Sequence, residues 1–341
     1  MLSQPAVAIV LLNYNNLSFL QRNLHFFDGL SYQNFRLYII DNASTDQSVA
    51  YVANEYPHIT IIPLSENKGY AGGYNEGLKH IQADYFVLLN TDVEVTADFL
   101  EPVLELMEKN KRIGICHPKI LSIENRDYFE YAGGSGGYMD ELGYTFARGR
   151  ILDHKEKDEG QYEDKKAIFW ASGACFIIRA SLFFELKGFY GYYFMYCEEV
   201  DLCWRAHLSG HEVYVCPQSV IYHRETDQLI QQRSIRIYYL FRNNLIMLHR
   251  NLPFQSRIVL IPFRVLLNCV AAIIFLLKGK PGHFFSILKT YLSYLKWAVF
   301  ERHENNYPKK KLKKIDSIYK GSILKGYYLQ GKKTYKDFLK E

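Results

Sequence analysis

In the amino-terminal part of the chain, apolar and polar positions come in blocks rather than singly. Residues 6–12 (AVAIVLL) form a continuous apolar run rich in β-branched residues, closed by the polar Asn13-Tyr14-Asn15-Asn16. A run of this kind predicts a strand buried on both faces and followed by a loop. The pattern returns at 35–40 before Asp41-Asn42-Ala43-Ser44, at 59–62, and at 85–89 before Asn90-Thr91-Asp92. Helix-length segments lie between, at 17–30, 47–56 and 74–81. Alternation of buried strands with helices predicts an α/β fold, a Rossmann-like and mostly parallel sheet flanked by helices, with ligands held beyond the carboxyl ends of the strands.

Farther along, 98–110 predicts a helix and 113–117 a further strand. The glycines from 133 to 149 read as a mobile loop, and 153–166 (DHKEKDEGQYEDKK) as a charged surface insertion rather than a lid. Beyond Thr226 the pattern turns helical, giving a division into 1–225 and 226–341. The segment 258–277 has nearly the length that spans a bilayer, about 20 residues, yet it carries Pro262, Arg264 and Asn268. In 284–300, Lys289, Ser293 and Lys296 share one side, and Leu288, Leu292, Leu295 and Val299 another. Amphipathic helices followed by a lysine-rich tail favour a protein lying on the inner membrane surface; a spanning helix and a soluble helical subdomain stay open.

Composition narrows the class. A chain of 341 residues with 48% apolar content buries a sizeable core, which excludes wholesale disorder and a small cysteine-stapled module. The six cysteines show no C-x-x-C spacing, which argues against a zinc module and fits a reducing, cytoplasmic setting. No basic stretch and apolar core of a secretory signal open the chain. Of the net charge of +5, residues 301–341 carry +7 (12 Lys/Arg against 5 Asp/Glu) and the remainder −2. A basic tail on a near-neutral body points to one polyanionic surface, lipid or RNA, and no nucleic acid is expected as a general partner.

Three acid-bearing turns carry the chemistry: Asp41 after the second strand, Asp92 after the fourth, and Glu198-Glu199-Val200-Asp201 after an aromatic run. Each alone reads as a cap or turn former. Together they match the needs of an enzyme using a nucleotide diphosphate sugar. One carboxylate accepts the N3–H of a pyrimidine, one holds a divalent cation on the diphosphate, and one takes the proton of an acceptor hydroxyl. The glycine-rich run from Asn67 to Gly77 sits where backbone approaches phosphate. A G-x-G-x-x-G dinucleotide turn does not follow the first strand, which sets a nicotinamide dehydrogenase aside.

The ordered set VAIVLLNYNN, IIDNASTDQS, NKGYAGGYNEG, LLNTDVEV, WASGACFIIRASLFFELKGF and FMYCEEVDLCWR resembles family 2 glycosyltransferases of the GT-A fold, most closely the rhamnosyltransferase-type branch. The resemblance implies that Asn13 and Asn15 border the nucleotide and that Asp41 reads the base. It puts Asn67, Gly69, Asn75 and Thr91 around ribose and phosphate, and Trp170, Ser172 and Gly173 around the sugar. Asp92 and His223 become metal ligands for Mg²⁺ or Mn²⁺. Glu199 becomes the base, supported by Glu198 and Asp201, in an inverting displacement from a dTDP- or UDP-sugar, with dTDP-rhamnose first among the candidates. The acceptor implied is a glycan or lipid-linked sugar in cell-surface glycan synthesis, met on the cytoplasmic face of the inner membrane; pairing into a homodimer is left open. Two departures stand out. Asn90-Thr91-Asp92 offers one carboxylate where Asp-x-Asp is common, leaving Glu94 as a second metal candidate, and Glu198-Glu199 replaces Glu-Asp. They motivate the alternative of a catalytically degenerate nucleotide-sugar-binding scaffold.

Overall fold

In the computed structural model, residues 4–131, 133–224, 233–301 and 307–339 are described. The four apolar runs become β1 (Val7–Asn13), β2 (Phe35–Asp41), β3 (Thr60–Pro63) and β4 (Tyr85–Leu89). Between them come α1 (Leu17–Asn23), α2 (Ser48–Glu55) and α3 (Gly69–Gly77). β1, but for its closing Asn13, and β4 are apolar because both faces are covered, while β2 exposes Arg36 and the edge strand β3 is only partly buried. Val7, Ile9 and Leu11 enter one core while Ala8 and Val10 enter the other, and Val87 and Leu88 divide in the same way.

β5 (Val93–Val95), α4 (Glu101–Lys109) and β6 (Ile113–Ser122) follow. A small second sheet then appears in the glycine-containing stretch: β7 (Gly137–Asp140), β8 (Thr145–Ala147), β9 (Arg150–Ile151) and β10 (His154–Lys155). The chain returns to the main sheet through β11 (Lys166–Ala167), β12 (Cys175–Arg179), α5 (Ala180–Glu185), α6 (Glu198–Leu208) and β13 (Glu212–His223). The main sheet runs β11-β13-β6-β12-β4-β1-β2-β3, with β5 beside β13. It is parallel through β3-β2-β1-β4; β12 then enters antiparallel between β4 and β6.

Two sequence expectations change here. The glycines of 133–149 are ordered, since Gly136 and Gly137 let the sheet close on Ile168 and Trp170 where a Cβ would meet side-chain carbons at 2.7 and 2.1 Å. The charged stretch 153–166 does lie largely at the surface, as expected, and is tied down there by Lys119 to Asp158 and Glu163, and by Arg148 to Asp164. Helix α3 also starts five residues earlier than the expected 74, so the glycine run is helical. Glycine costs about 1 kcal/mol in a helix, but a Cβ on Gly77 would stand 2.2 Å from Ile40 Cδ1, and its absence allows α3 to lie close on the sheet.

The expected boundary at 225/226 lies outside the described residues. Past it come α7 (Arg233–Asn251), α8 (Phe254–Leu277) and α9 (Pro281–Lys296). Helix α8 is long and apolar enough to cross a membrane by length and composition. Its buried side holds Ile261, Arg264, Asn268 and Ala272, with Arg264 donating to Leu142 O at 3.0 Å and Asn244 Oδ1 at 2.7 Å. Polar and apolar faces therefore segregate as the sequence suggests, but it is the polar face that turns into the protein. The lysine-rich tail is not a free extension either. β14 (Ile318–Tyr319) pairs with β7, and α10 (Ile323–Leu329) and α11 (Tyr335–Leu339) bury Tyr335 and Phe338 beside Tyr138 and Phe146.

Candidate active site

The ends of β1, β2 and β4 are adjacent because these strands are parallel neighbours in register. Asn13 and Asp41 are register partners at one such end, and Asn13 Nδ2 donates to Asp41 Oδ1 at 2.9 Å. The other Asp41 oxygen accepts the Ser44 N–H at 3.1 Å, so this carboxylate braces the loop after β2 from a buried position. Asn15 adopts φ 55° and its Oδ1 accepts the N–H groups of Thr45 and Asp46, which makes it a strut of the same loop.

Beyond β2, Asn67 Oδ1 accepts the Gly69 N–H at 2.9 Å and the Asn42 Nδ2 at 3.0 Å. Asn42 completes the knot by accepting the Lys68 N–H, a role the sequence left unassigned. Gly69 stands at φ +68° with a would-be Cβ 2.4 Å from Phe194 O. Asn75 does not face this region: its amide donates to Phe189 O at 2.8 Å and accepts from Phe189 N–H at 2.9 Å, so both its ends are spent.

At the end of β4, Thr91 is buried and its carbonyl accepts Asn23 Nδ2 at 2.7 Å. Asp92 Oδ1 lies 3.2 Å from His223 Nε2, and His223 Nδ1 lies 3.3 Å from Glu130 Oε1. Antiparallel pairing of β5 with β13 brings this histidine back across the sheet. Burial alone would lower its pKa, but the Asp92 and Glu130 carboxylates more than offset that and raise it well above the ordinary value. Glu130 falls in an irregular stretch with no periodic signal, and sequence reasoning missed it. Glu94, the second metal candidate, is instead paired with Arg126.

Glu198 and Glu199 open α6 after a backbone held at positive φ at Phe194, Tyr196 and Cys197. Both Glu198 Oε2 and Glu199 Oε2 lack a hydrogen-bond partner. Burial raises the Glu199 pKa to about 7, and burial plus the neighbouring Glu199 charge push Glu198 well above the carboxylate range. Two adjacent buried carboxyls therefore share a proton near neutrality. Gly173 faces them, its would-be Cβ 4.0 Å from Glu199 Cδ, while Tyr70 Oη donates to Gly173 O at 2.8 Å. Since Ala174 O accepts the Asn90 N–H, Gly173 also adjoins the end of β4.

Two expected site residues do other work. Asp201 is fully buried and saturated: it accepts from Arg205 Nε at 2.8 Å, Tyr193 Oη at 3.1 Å and Asn251 Nδ2 at 2.7 Å. It braces α6 rather than joining the glutamate pair. Trp170 is likewise buried, donating from Nε1 to Tyr138 O at 2.9 Å and tying the small sheet to the large one.

The loop carrying the pair is gripped by α7, which the sequence did not indicate. Asn243 Nδ2 lies within hydrogen-bonding distance of the Tyr193, Met195 and Tyr196 carbonyls at 3.0, 2.7 and 2.8 Å, and Arg242 donates to Tyr192 O and Tyr193 O. Asparagines inside an apolar helical pattern were the available signal.

The family model described as glycosyl transferase family 2 matches residues 8–203. N-acetylglucosaminyl-diphospho-decaprenol L-rhamnosyltransferase from Mycobacterium tuberculosis is 26% identical over 202 residues, covering 54% of this chain and 66% of that protein. The chain thus spans about two thirds of the curated relatives it matches first, 64% and 66% of their lengths. Among solved structures, Staphylococcus aureus TarS 1–349 in complex with UDP-GlcNAc superposes with a TM-score of 0.58 at 13% identity, covering 85% of this chain and 81% of that one. The mannosyltransferase PcManGT from Pyrobaculum calidifontis, in complex with GDP-Man and Mn²⁺, gives 0.53 at 14% identity and covers 89% of each chain. At these identities the superpositions speak for the fold, the GT-A arrangement.

Proposed function

The chain belongs to glycosyl transferase family 2, and from that membership we propose an inverting transfer of a sugar from a nucleotide diphosphate donor to a hydroxyl of a lipid-linked or polysaccharide acceptor. The single observation carrying the reading is the Glu198–Glu199 pair, poised near neutral pH beside Gly173 at the sheet edge that also holds Asp92. Glu199 takes the acceptor proton on its unpartnered Oε2 as the acceptor oxygen attacks the anomeric carbon and the bond to the diphosphate breaks. Glu198, kept protonated, leaves its neighbour as the base. A dTDP- or UDP-sugar is the donor class, dTDP-rhamnose the first to test.

A divalent ion fits this edge. Asp92 Oδ1 and His223 Nε2, 3.2 Å apart, would hold Mg²⁺ or Mn²⁺ where the ion displaces the proton that the Asp92 and Glu130 carboxylates keep on the imidazole. The ion's remaining ligands would come from the donor phosphates and water. When bound, the ion supplies charge neutralisation on the leaving diphosphate. Asn67 and Gly69 shape the approach of donor phosphates, and Asn13 with Asp41 the nucleotide end. The exposed apolar outer face of α8 and α9 supports a position on the cytoplasmic membrane surface, where a lipid-linked acceptor would be met.

The test is a thermal-shift screen of nucleotide sugars with and without Mn²⁺, followed by transfer assays on the best donor. A donor that raises Tm only with metal, and turnover lost in Glu199→Gln and Asp92→Ala, supports the proposal. Binding without turnover in the wild type favours the scaffold alternative instead.

A further inference from the structure

The chain enters α6 through a turn that few side chains tolerate. Phe194 combines φ 64° with ψ −58°, and the Met195 N–H donates to Tyr193 O at 2.7 Å, which makes residues 193–195 a γ-turn of the rare, strained hand. Tyr196 and Cys197 then stand at φ 67° and 71°. Such backbone is costly for any residue with a Cβ and persists only where the surroundings over-determine it. Glu198 and Glu199 follow at once, so whatever holds the turn also sets where the two carboxyls stand.

The restraint comes from α7. Asn243 is fully buried, and its Nδ2 approaches the Tyr193 carbonyl that closes the γ-turn together with those of Met195 and Tyr196. One amide therefore reaches the backbone on both sides of Phe194. Its Oδ1 accepts Arg242 Nε at 2.9 Å, and Arg242 in turn donates to Tyr192 O and Tyr193 O. The Phe194 ring stacks on Tyr239 of the same helix, with centroids 5.8 Å apart and planes 18° apart. The Phe194 carbonyl points the other way and accepts the Ala71 N–H of α3 at 3.2 Å. Donor-side contact thus belongs to α3, while α7 takes the carbonyls that lead into α6. Helix α7 starts at Arg233, beyond residue 203 where the family match ends.

We propose that Asn243 is a positioning residue of the transfer step: by holding the Tyr193, Met195 and Tyr196 carbonyls it keeps the strained turn from relaxing and fixes the Glu199 carboxyl where the acceptor hydroxyl loses its proton. This rests on the transferase reading above and extends the active site to a residue outside the family match. Asp92, Asn67 and Gly69, the groups assigned to the donor, sit on other elements, so loss of Asn243 acts on kcat rather than on donor binding.

The test compares Asn243→Ala with Asn244→Ala in the full chain, both carrying Cys269→Ser. Asn244 is the next residue of α7 but bonds Gly143 O and Arg264, away from the turn. With Cys269 replaced, Cys197 is the partly exposed thiol and the other four are buried, so its modification by DTNB reports opening of the turn without reference to activity. Asn243→Ala leaves buried carbonyls unsatisfied and labels about tenfold faster than the wild type. Asn244→Ala labels at the wild-type rate. With the donor found by the thermal-shift screen, kcat of Asn243→Ala falls by about a hundredfold while the donor KM stays within about twofold, since a misplacement of about 1 Å is enough for such a loss. Unchanged labelling overturns the hold on the turn. Faster labelling with kcat intact, an equal kcat loss in Asn244→Ala, or a parallel loss of donor affinity overturns the positioning of the base. If the wild type transfers from no donor, the transferase reading fails by itself, and labelling still decides whether Asn243 holds the turn. Should a thermal melt show Asn243→Ala unfolded, Asn243→Ser, which keeps one hydroxyl donor, is read in the same way.

Discussion

Asn251 Nδ2 donates to Asp201 Oδ1 across 2.7 Å, joining the last residue of α7 to the first turn of α6 in a site without solvent. Asp201 is a buried charge, held below the ordinary carboxylate range; burial opposes this, and Arg205, Arg250 and the Asn251 bond prevail. Asn251→Ala leaves one carboxylate oxygen less well satisfied and costs about 1–3 kcal/mol. A lowered Tm is expected. Because α6 begins with Glu198 and Glu199, kcat falls as well, while donor affinity changes little. Unchanged stability would remove Asp201 from the role of brace.

The carboxyl pair makes activity and stability respond to pH in opposite directions. A base must be ionised, so kcat/KM rises with pH through an inflection near 7, where Glu199 titrates. For stability, the folded state holds the proton more tightly than the unfolded chain, so between the ordinary carboxylate value and about 7 the fold weakens as pH rises. Glu199→Gln therefore abolishes most turnover, by about a thousandfold if the general-base contribution is typical, yet gains up to about 2 kcal/mol of stability at pH 8 and almost none at pH 4. Melting curves of wild type and variant at both pH values check the sign.

Gly69→Ala meets two obstacles, a positive φ of +68° and Phe194 O at 2.4 Å from the new methyl. The backbone conformation alone costs about 1 kcal/mol, and moving the Phe194 carbonyl raises the total to about 2 kcal/mol or more. That carbonyl accepts the Ala71 N–H and lies in the loop leading to Glu198, so weaker donor binding and lower kcat are expected together. Gly29→Ala is the control, since nothing lies within 4 Å of its would-be Cβ. Equal behaviour of the two variants would refute the close approach.

β1 and β4 were legible because a strand covered on both faces must be apolar at nearly every position; β2, with Arg36 exposed, and the half-exposed edge strand β3 follow that rule less closely. The acids at strand ends were legible as a set of candidates, but the surroundings of each were not. Asp201 and Glu199 share one helical turn; only the packing of Asn251 and Arg205 around the former shows that it braces. Glu130 and Asn243 reach the site across 93 and 45 residues from His223 and Glu198 respectively, and no local spacing encodes such contacts. The docked tail was hidden for a different reason. Its lysines dominate the composition, while burial rests on a few apolar residues such as Ile323, Tyr335 and Phe338.

The outer face of α8 and α9 gives the last prediction. Val259, Phe263, Leu266, Val270 and Ile273 on α8, Leu288, Leu292 and Leu295 on α9, and Val299 in the turn that follows it are all exposed, at helical spacing. Lys278, Lys280, Lys289 and Lys296 lie exposed around them, a pairing of apolar surface and positive charge that suits an anionic bilayer. Leu266 and Leu292 are 59% and 72% exposed, so replacing both by glutamate removes no internal packing and leaves Tm in detergent-free buffer within a degree or so. On vesicles containing phosphatidylglycerol, each substitution forfeits about 1–2 kcal/mol of apolar burial and adds a repelled charge. Co-sedimentation should fall by about a hundredfold for the double variant, and high salt should weaken the wild type far less than the substitutions do. Undiminished sedimentation of the double variant would show that this face is covered by something other than lipid.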